Sequence, residues 1–521
     1  MNTPDRIDIS PKELDALLER VKAGNLDDND YEIIKAMADT VSYLSHLSNE
    51  KASTIKRLLT MLFGDQSEKA EKVLDKPKRD RGKKDKVDKK PGHGRKPASA
   101  YTGAKKVKIS HESLKHGRRC PECQRGRVYR DLTPAKAVRV TGSAPLKATV
   151  YEMERLRCNL CGQIFTAKAP EGIGDEKYDA AAGAMIALLK YGSGLPFNRL
   201  QQLQGALGVP LAASTQWEIV NDGADKILSV WQELVVQAAQ GSVLYNDDTT
   251  ARILSLIKEN AQADPKRKGM FTSGILSEVK GHRVALFFTG RNHAGENLAQ
   301  VLEKRQAKDP PIQMCDALSR NLPHDFVTLL ANCLVHARRN FVDVYTSFPT
   351  QCQFVIETLA GVYKNDQETK QRQMSPEERL AYHQAHSKPL MQRIETWLEE
   401  QTAGKKAEPN SGLGKAITYM QKYWQALTLF LGVPGAPLDN NRCEQVLKRA
   451  ILHRKNSLFF KTERGALVGD IYMGLIHTCS LNDVNPFDYL TALIEHHELV
   501  KDNPQHWMPW NYTHALPESG E

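Results

Sequence analysis

The sequence predicts a multidomain α+β protein, and three observations lead there. The chain has 521 residues, 40% hydrophobic and 26% charged, enough to bury more than one core. Between 236 and 345, short apolar runs alternate with amphipathic stretches, the pattern of a mixed sheet flanked by helices. Ahead of that block, most of the net charge of +10 sits in one polar run, and two Cys-x2-Cys pairs come after it. No apolar run reaches the roughly 18 residues a membrane span requires, and the opening MNTPDRIDIS has neither the basic nor the apolar part of a secretory signal. A cytoplasmic protein without a membrane partner is expected.

Residues 1–63 form an N-terminal helical region in this reading. Ile34, Met37, Val41, Leu44, Ile55, Leu58 and Leu62 recur at 3–4 spacing, interrupted by Ser48 and Lys51. A short coiled coil for self-association fits that spacing, and so does an amphipathic helix packed on its own chain. Residues 64–110 read as a basic, largely disordered linker, because between Lys76 and Lys96 eleven Lys/Arg face three Asp with almost nothing apolar. Lys83, Lys84, Lys86, Lys89, Lys90, Arg95 and Lys96 supply either a solvated tether or an arm that tracks DNA phosphates.

Residues 111–170 contain Cys120-x2-Cys123 and, 34 residues on, Cys158-x2-Cys161. Four thiolates in two such knuckles make a closed tetrahedral Zn²⁺ site, which serves structure rather than chemistry. The segments GRVYRDL and ATVYEMERLRC alternate and suit hairpin strands between the knuckles. Cys315, Cys333, Cys352, Cys443 and Cys479 show no such spacing and read as core. Residues 171–235 turn helical, with LPFNRLQQLQGALGVPLAASTQWEIVNDG reading as two helices around Gly208-Val209-Pro210 and Ser214 or Thr215 near the start of the second. That pattern suits a helix-turn-helix and a plain packing layer equally well.

The core's first part is expected at 236–345. GSVLYNDDTTARILSLI reads as a strand that meets Asp247 and Asp248 and resumes as a second strand; MFTSGILSEV and RVALFFT add two more. AGENLAQVLEKR is helical, PPIQMCD is a strand that again ends in an acid, Asp316, and ANCLVH with ARRNFVDVY reads as strand then helix. A lone strand-end Asp is ordinarily a turn residue or cap. Two at the ends of the first and fourth strands differ, because in a ribonuclease-H-like fold those strands lie side by side. Their carboxylates suit Mg²⁺, or Mn²⁺, and a pair of such ions about 4 Å apart serves phosphodiester transfer.

A third carboxylate is available downstream, at Glu444 on a helix that comes after Asp439-Asn440-Asn441. Asp439 suits an N-cap and lies roughly 140° around the helix from Glu444, so the two acids cannot share a site. Cys443, Val446, Leu447 and Ala450 form an apolar stripe with Glu444 at its edge. If the helix is continuous, Lys448 and Lys455 fall within about 40° of Glu444 and would meet a DNA phosphate.

With these residues in view, the chain resembles bacterial DDE transposases of the insertion-sequence-66 family over nearly all its length. The matching segments are IKRLLTMLFGDQSEK, GHGRKP, the two cysteine pairs, LLKYGSGLPFNRLQQL, CLVHARRNF, LDNNRCEQVLKRAILHRKNSLFF and NPFDYLTALIEHH, the last three being the most specific. The resemblance implies a ribonuclease-H-like core with Asp247, Asp316 and Glu444 as its metal-binding catalytic triad. Asp248 stands where the family usually has Glu, Leu334 where it often has Trp, and His336, Arg338 and Arg339 match its His-Ala-Arg-Arg run.

It also implies a helical insertion, 346–430, before the second core part at 431–490 and a tail at 491–521. Trp397 and Trp424 in the insertion would either stack on an unpaired base or join the core. The implied activity is Mg²⁺- or Mn²⁺-dependent hydrolysis at transposon ends, followed by transfer of the 3′-hydroxyl into target DNA. The implied partners are DNA, further copies of the chain and accessory proteins of the same element, in a bacterial, nucleoid-associated setting. A non-catalytic DNA-binding regulator descended from a transposase is the alternative.

Overall fold

The computed structural model describes residues 11–24, 27, 30–37, 98–100, 106–110, 114–129, 138–139, 143–157, 159, 163–168, 170 and 177–517, the last apart from 264, 266 and 405. Helix α1 (Pro11–Ala23) is tied to helical residues 30–37 by Arg20, whose guanidinium forks onto buried Asp30 at 2.7 and 2.9 Å. Of the expected coiled coil, Ile34 and Met37 fall on that second helix; Val41, Leu44, Ile55, Leu58 and Leu62 lie outside the described residues. Strands β1 (Arg155–Arg157) and β2 (Ile164–Thr166) pair antiparallel. Strand β1 falls in ATVYEMERLRC, between the knuckles as expected, but its partner β2 comes after Cys161 and not from GRVYRDL, whose last three residues lie outside the described ones.

A helical layer comes next. Helix α2 (Ala180–Ala187) is capped by Asp179, which accepts the Ala182 N–H at 2.7 Å, and runs into a π-turn at Leu188–Gly192. Helices α3 (Phe197–Ala206) and α4 (Ala213–Lys226) are separated by a turn in which Gly208 holds φ +77°, a conformation that favours glycine. Ser214 and Thr215 lie in the first turn of α4, whose N-terminal Ala213 N–H is taken by the side chain of Gln201 at 2.8 Å. Helix α5 (Leu228–Ala239) then leads into the sheet.

Strand β3 (Val243–Thr250) runs straight through both acids. The chain does not resume as a second strand after them: Leu254–Ala263 is helix α6, which buries Leu256. Strands β4 (Phe271–Val279) and β5 (His282–Gly290), helix α7 (Ala294–Leu302), strands β6 (Ile312–Cys315) and β7 (Leu329–Asn332) and helix α8 (Leu334–Val344) complete the block. The sheet order is β5-β4-β3-β6-β7, with β5, β4 and β3 antiparallel and β3, β6 and β7 parallel. ANCLVH therefore divides after Asn332, and His336 sits in the first turn of α8.

Helices α9 (Pro349–Gln371), α10 (Pro376–His386), α11 (Lys388–Ala403), α12 (Gly412–Lys422) and α13 (Trp424–Leu427) build the insertion. Its base is closed where the Leu334 N–H donates to Leu438 O at 3.0 Å. Trp397 packs on Phe341 and Phe354, and Trp424 also packs against the core, which favours the packing role for both. Helix α14 (Asn441–Ser457) carries Glu444, and α15 (Glu463–Leu481), buried along most of its length, lies against β5. Helices α16 (Pro486–Glu495) and α17 (His497–Asp502) close the order, and buried Trp507 and Met508 pack residues read as a tail onto the core.

Candidate active site

The register of β3 and β6 sets the first two acids side by side. Tyr245 is level with Met314, and two residues further along each parallel strand come Asp247 and Asp316, with the strands roughly 4.8 Å apart. Asp247 is mostly buried: burial first, then the charges of Asp316, Asp248 and Glu444, push its carboxyl up to about 7, against the opposing N–H of Asp248. Asp248 points to the other face. Its carboxylate takes the Ser273 hydroxyl at 2.7 Å and faces His293 Nδ1 at 3.0 Å, with 1% of the side chain exposed. Alternation along the strand thus separates Asp248, committed to Ser273 and His293, from Asp247, which faces the other acids and accepts only the Asp248 N–H at 2.7 Å.

Helix α14 brings the third acid. Gly274 is the cross-strand partner of Asp247, and a Cβ there would lie 2.8 Å from Leu447 Cγ, so glycine lets the helix approach the sheet beside the acids. The Cys443 thiol donates to Gly274 O at 3.3 Å, fixing the register of the helix. Asn440, not Asp439, occupies the N-cap position, and its side chain donates to Asn246 O at 3.2 Å, one residue before Asp247. Asp439 instead accepts the Asn441 N–H at 3.1 Å, so it still serves the helix start. Helix α14 runs unbroken past Lys455, leaving Lys448 and Lys455 exposed.

His336 stands between two of the acids, its Nδ1 2.9 Å from Asp316 Oδ1 and its Nε2 4.0 Å from Glu444 Oε1. Burial alone would lower its pKa, but Asp316 and Cys333 outweigh that and hold it up to about 10. Asp316 Oδ1 and Glu444 Oε1 are buried without an aligned hydrogen-bond donor. Oxygens in that condition suit a cation. Ligand atoms of Asp316, Cys333 and His336 also lie within 4.8 Å of one another.

The transposase IS66 family matches residues 177–467, more than half the chain and the span that holds all three acids. The chain belongs to this family. Three curated relatives come from Sinorhizobium fredii (strain NBRC 101917 / NGR234). Uncharacterized protein y4hP is 25% identical over 64% of this chain and 62% of its own length. Uncharacterized protein y4jD is 31% identical over 35% and 36%, and uncharacterized protein y4qI 27% identical over 63% and 62%. The chain thus spans less than two thirds of the length of these relatives.

Within this IS66-family chain, the remaining residues singled out in the sequence are the paired cysteines and the basic run. Cys120 and Cys123 form a knuckle in which the Cys120 N–H donates to Gly126 O at 2.8 Å and the Gly126 N–H reaches Cys123 Sγ at 3.5 Å. Cys158, Cys161, Lys83, Lys84, Lys86, Lys89, Lys90, Arg95 and Lys96 lie outside the described residues. Among the described residues, no helix is long and apolar enough to cross a membrane.

Sequence reading missed a buried amide network under the acids. Gln313 donates to Asn246 Oδ1 at 2.9 Å and to Asn321 O at 2.7 Å, and Asn246 also donates to Asn321 O at 2.7 Å. The clue available was an Asn or Gln inside each apolar strand, at Asn246 and Gln313. Cys333 is core, as expected, but its sulfur also accepts the Asn440 N–H at 3.3 Å and so couples α8 to the start of α14.

Proposed function

We propose that the chain is a DDE DNA transposase with a ribonuclease-H-like core. The observation that carries this reading is the convergence of Asp247, Asp316 and Glu444, from the middle of β3, the end of β6 and the first turn of α14, on a cleft where Asp247 feels both other charges. A non-catalytic regulator would have no use for that repulsion. The order β5-β4-β3-β6-β7, with acids on the first and fourth strands in chain order, supports the assignment of the core.

The residues fit divalent cations, since hard carboxylate oxygens converge there, with Glu444 Oε1 buried without a donor and Asp316 Oδ1 facing only His336. Bound Mg²⁺ or Mn²⁺ would activate the attacking oxygen and stabilise the leaving one. His336 orients Asp316 and offsets acidic charge in the cleft. Lys448 and Lys455, on the Glu444 side of α14, hold the DNA backbone. In the first reaction a water oxygen attacks the phosphorus at the transposon end and releases a 3′-hydroxyl. In the second, that hydroxyl attacks a target phosphodiester, and the displaced target 3′-oxygen leaves and takes up a proton.

Cys120, Cys123, Cys158 and Cys161 hold a structural Zn²⁺ in this reading. The knuckle supports it: backbone N–H groups of Gly126 and Arg125 around Cys123 lower its pKa and favour the thiolate. The basic run tracks phosphates, and the N-terminal helices serve self-association. The test is cleavage of a duplex taken from the DNA that flanks the gene, with Mg²⁺ or Mn²⁺ and then with EDTA. Metal-dependent nicking at the repeat boundary is expected; sequence-specific binding without cleavage would favour the regulator.

A further inference from the structure

Leu458 and Phe459, 60% and 42% exposed, project side by side where α14 ends. Their neighbours are fixed. Arg454 donates to the hydroxyls of Thr249 and Thr250 at 3.0 and 2.7 Å, binding the last turn of α14 to the end of β3. Lys190 donates to Ser457 Oγ at 2.7 Å, and Phe460 is locked by its N–H to Arg252 O at 2.8 Å and by its carbonyl, which accepts the Leu254 N–H at 2.9 Å. The rings of Tyr191, His453 and Phe460 stack behind the turn.

The backbone at the tip is strained. Leu458 holds φ +65° and ψ −40°, and the Phe459 N–H donates to Ser457 O at 2.8 Å across it, a tight turn that a γ-branched residue seldom adopts. Strain of this kind persists only where the surroundings impose it, and it clusters at functional sites. Here it turns two large apolar side chains outward from a rigid base.

Charge and distance identify the occupant. Lys448, Arg449, Lys455 and Lys461 are exposed on the same helix and its exit, an arrangement that meets polyanionic backbone. Thr249 and Thr250 lie two and three residues past Asp247, roughly 7–10 Å at 3.3 Å per residue, and α14 delivers the tip one turn beyond Arg454. By the rise of α14 the tip stands roughly 20 Å from Glu444, within about six base steps of a phosphate held by the acids. Apolar side chains that reach DNA in a basic setting act as wedges that unstack a base step.

Resting on the transposase reading, we infer that Leu458 and Phe459 form a wedge that opens the duplex a few base steps from the scissile phosphate, Phe459 stacking on the displaced base. The experiment uses the full chain and duplexes of the terminal sequence beside the gene, with 2-aminopurine placed in turn at each step up to about six from the cleavage position and Ca²⁺ replacing Mg²⁺ to hold the uncut complex. Wild type is expected to raise the fluorescence at one step, Phe459→Ala to bind without raising it, and Phe459→Trp to restore it. In Mg²⁺, Phe459→Ala should lose roughly 10- to 100-fold in cleavage of the paired end and recover most of it on an end with mismatches at that step.

Equal fluorescence from wild type and Phe459→Ala, or equal loss of cleavage on paired and mismatched ends, overturns the wedge. So does a change of oligomeric state in Phe459→Ala without DNA, which would make the tip a contact between copies. If wild type cuts neither end in Mg²⁺, the transposase reading itself has failed, an outcome distinct from these.

Discussion

Asp366 in the helical insertion and Asp247 in the sheet are both buried carboxylates, and the chain treats them in opposite ways. Burial would raise Asp366, but His383, Arg379 and Lys370 outweigh it and hold the carboxyl well below its usual range, with Arg379 at 2.8 Å and Lys370 at 2.6 Å. Asp247 has acids for neighbours and is pushed up to about 7. A third case separates burial from function. Asp470 also rises to about 7 through burial, yet both its oxygens take 2.7 Å hydrogen bonds from Thr289, and none of the charged neighbours that act on Asp247 acts on it. The cleft is marked by like charge gathered around buried carboxylates, not by a raised pKa.

The largest expected effect sharpens this contrast within one motif. Glu444→Gln should lower strand cleavage by roughly 10³-fold while the protein stays folded, because a single charge-stabilising group carries about that much. Asp439→Asn should keep most activity and lose stability, since its carboxylate serves the Asn441 N–H. Cleavage rates and melting curves on both variants check it, and the reverse pattern would move the third acid to Asp439.

The insertion should behave as a structural ion cluster. Asp366→Asn leaves Arg379 and His383 without their partner and should cost about 3 kcal/mol by denaturant titration, less whatever exposed Lys370 recovers in solvent. Because the folded pKa is depressed, the stabilisation is fully present above the unfolded value of 3.8 and is lost as pH falls below it toward the folded one. The gap between wild type and variant should therefore be wide at pH 7 and close in acid. A gap that widens in acid would contradict the assigned partners.

Smaller effects are expected ahead of the sheet. Freshly purified protein should hold one Zn²⁺ per chain, and Cys123→Ser should release it and weaken DNA binding while sparing the melting of the core. Metal analysis with thiol counting decides this. Neutralising Lys83, Lys84, Lys86, Lys89 and Lys90 should weaken binding to any sequence and flatten its salt dependence, leaving sequence preference intact. An unchanged slope would return that run to an inert tether.

The first two acids are legible because an apolar run meets a charge, as in SVLYND and IQMCD, although β3 continues through its acids to Thr250. Helix α6 is misread for the same reason: Leu254, Leu256 and Ile257 fit either period in so short a run, and only Leu256 is buried. The place of His336 is hidden, since its two acids lie 20 residues before it and 108 residues after it and meet it only in the fold. Asn440 reads as one more cap residue, whereas its side chain is spent on the strand that carries Asp247. Trp397 looks available to a base in sequence because its partners Phe341 and Phe354 come from two other helices.

Direct metal binding tests the central claim that the acids of the cleft, and not those of the insertion, await a cation. Mn²⁺ titrated into the full chain and followed by electron paramagnetic resonance should bind to wild type, Asp439→Asn and Asp366→Asn alike. Binding should be lost or severely weakened in Asp247→Asn and Glu444→Gln. Undiminished Mn²⁺ binding by those two variants, with the fold intact, would contradict the account.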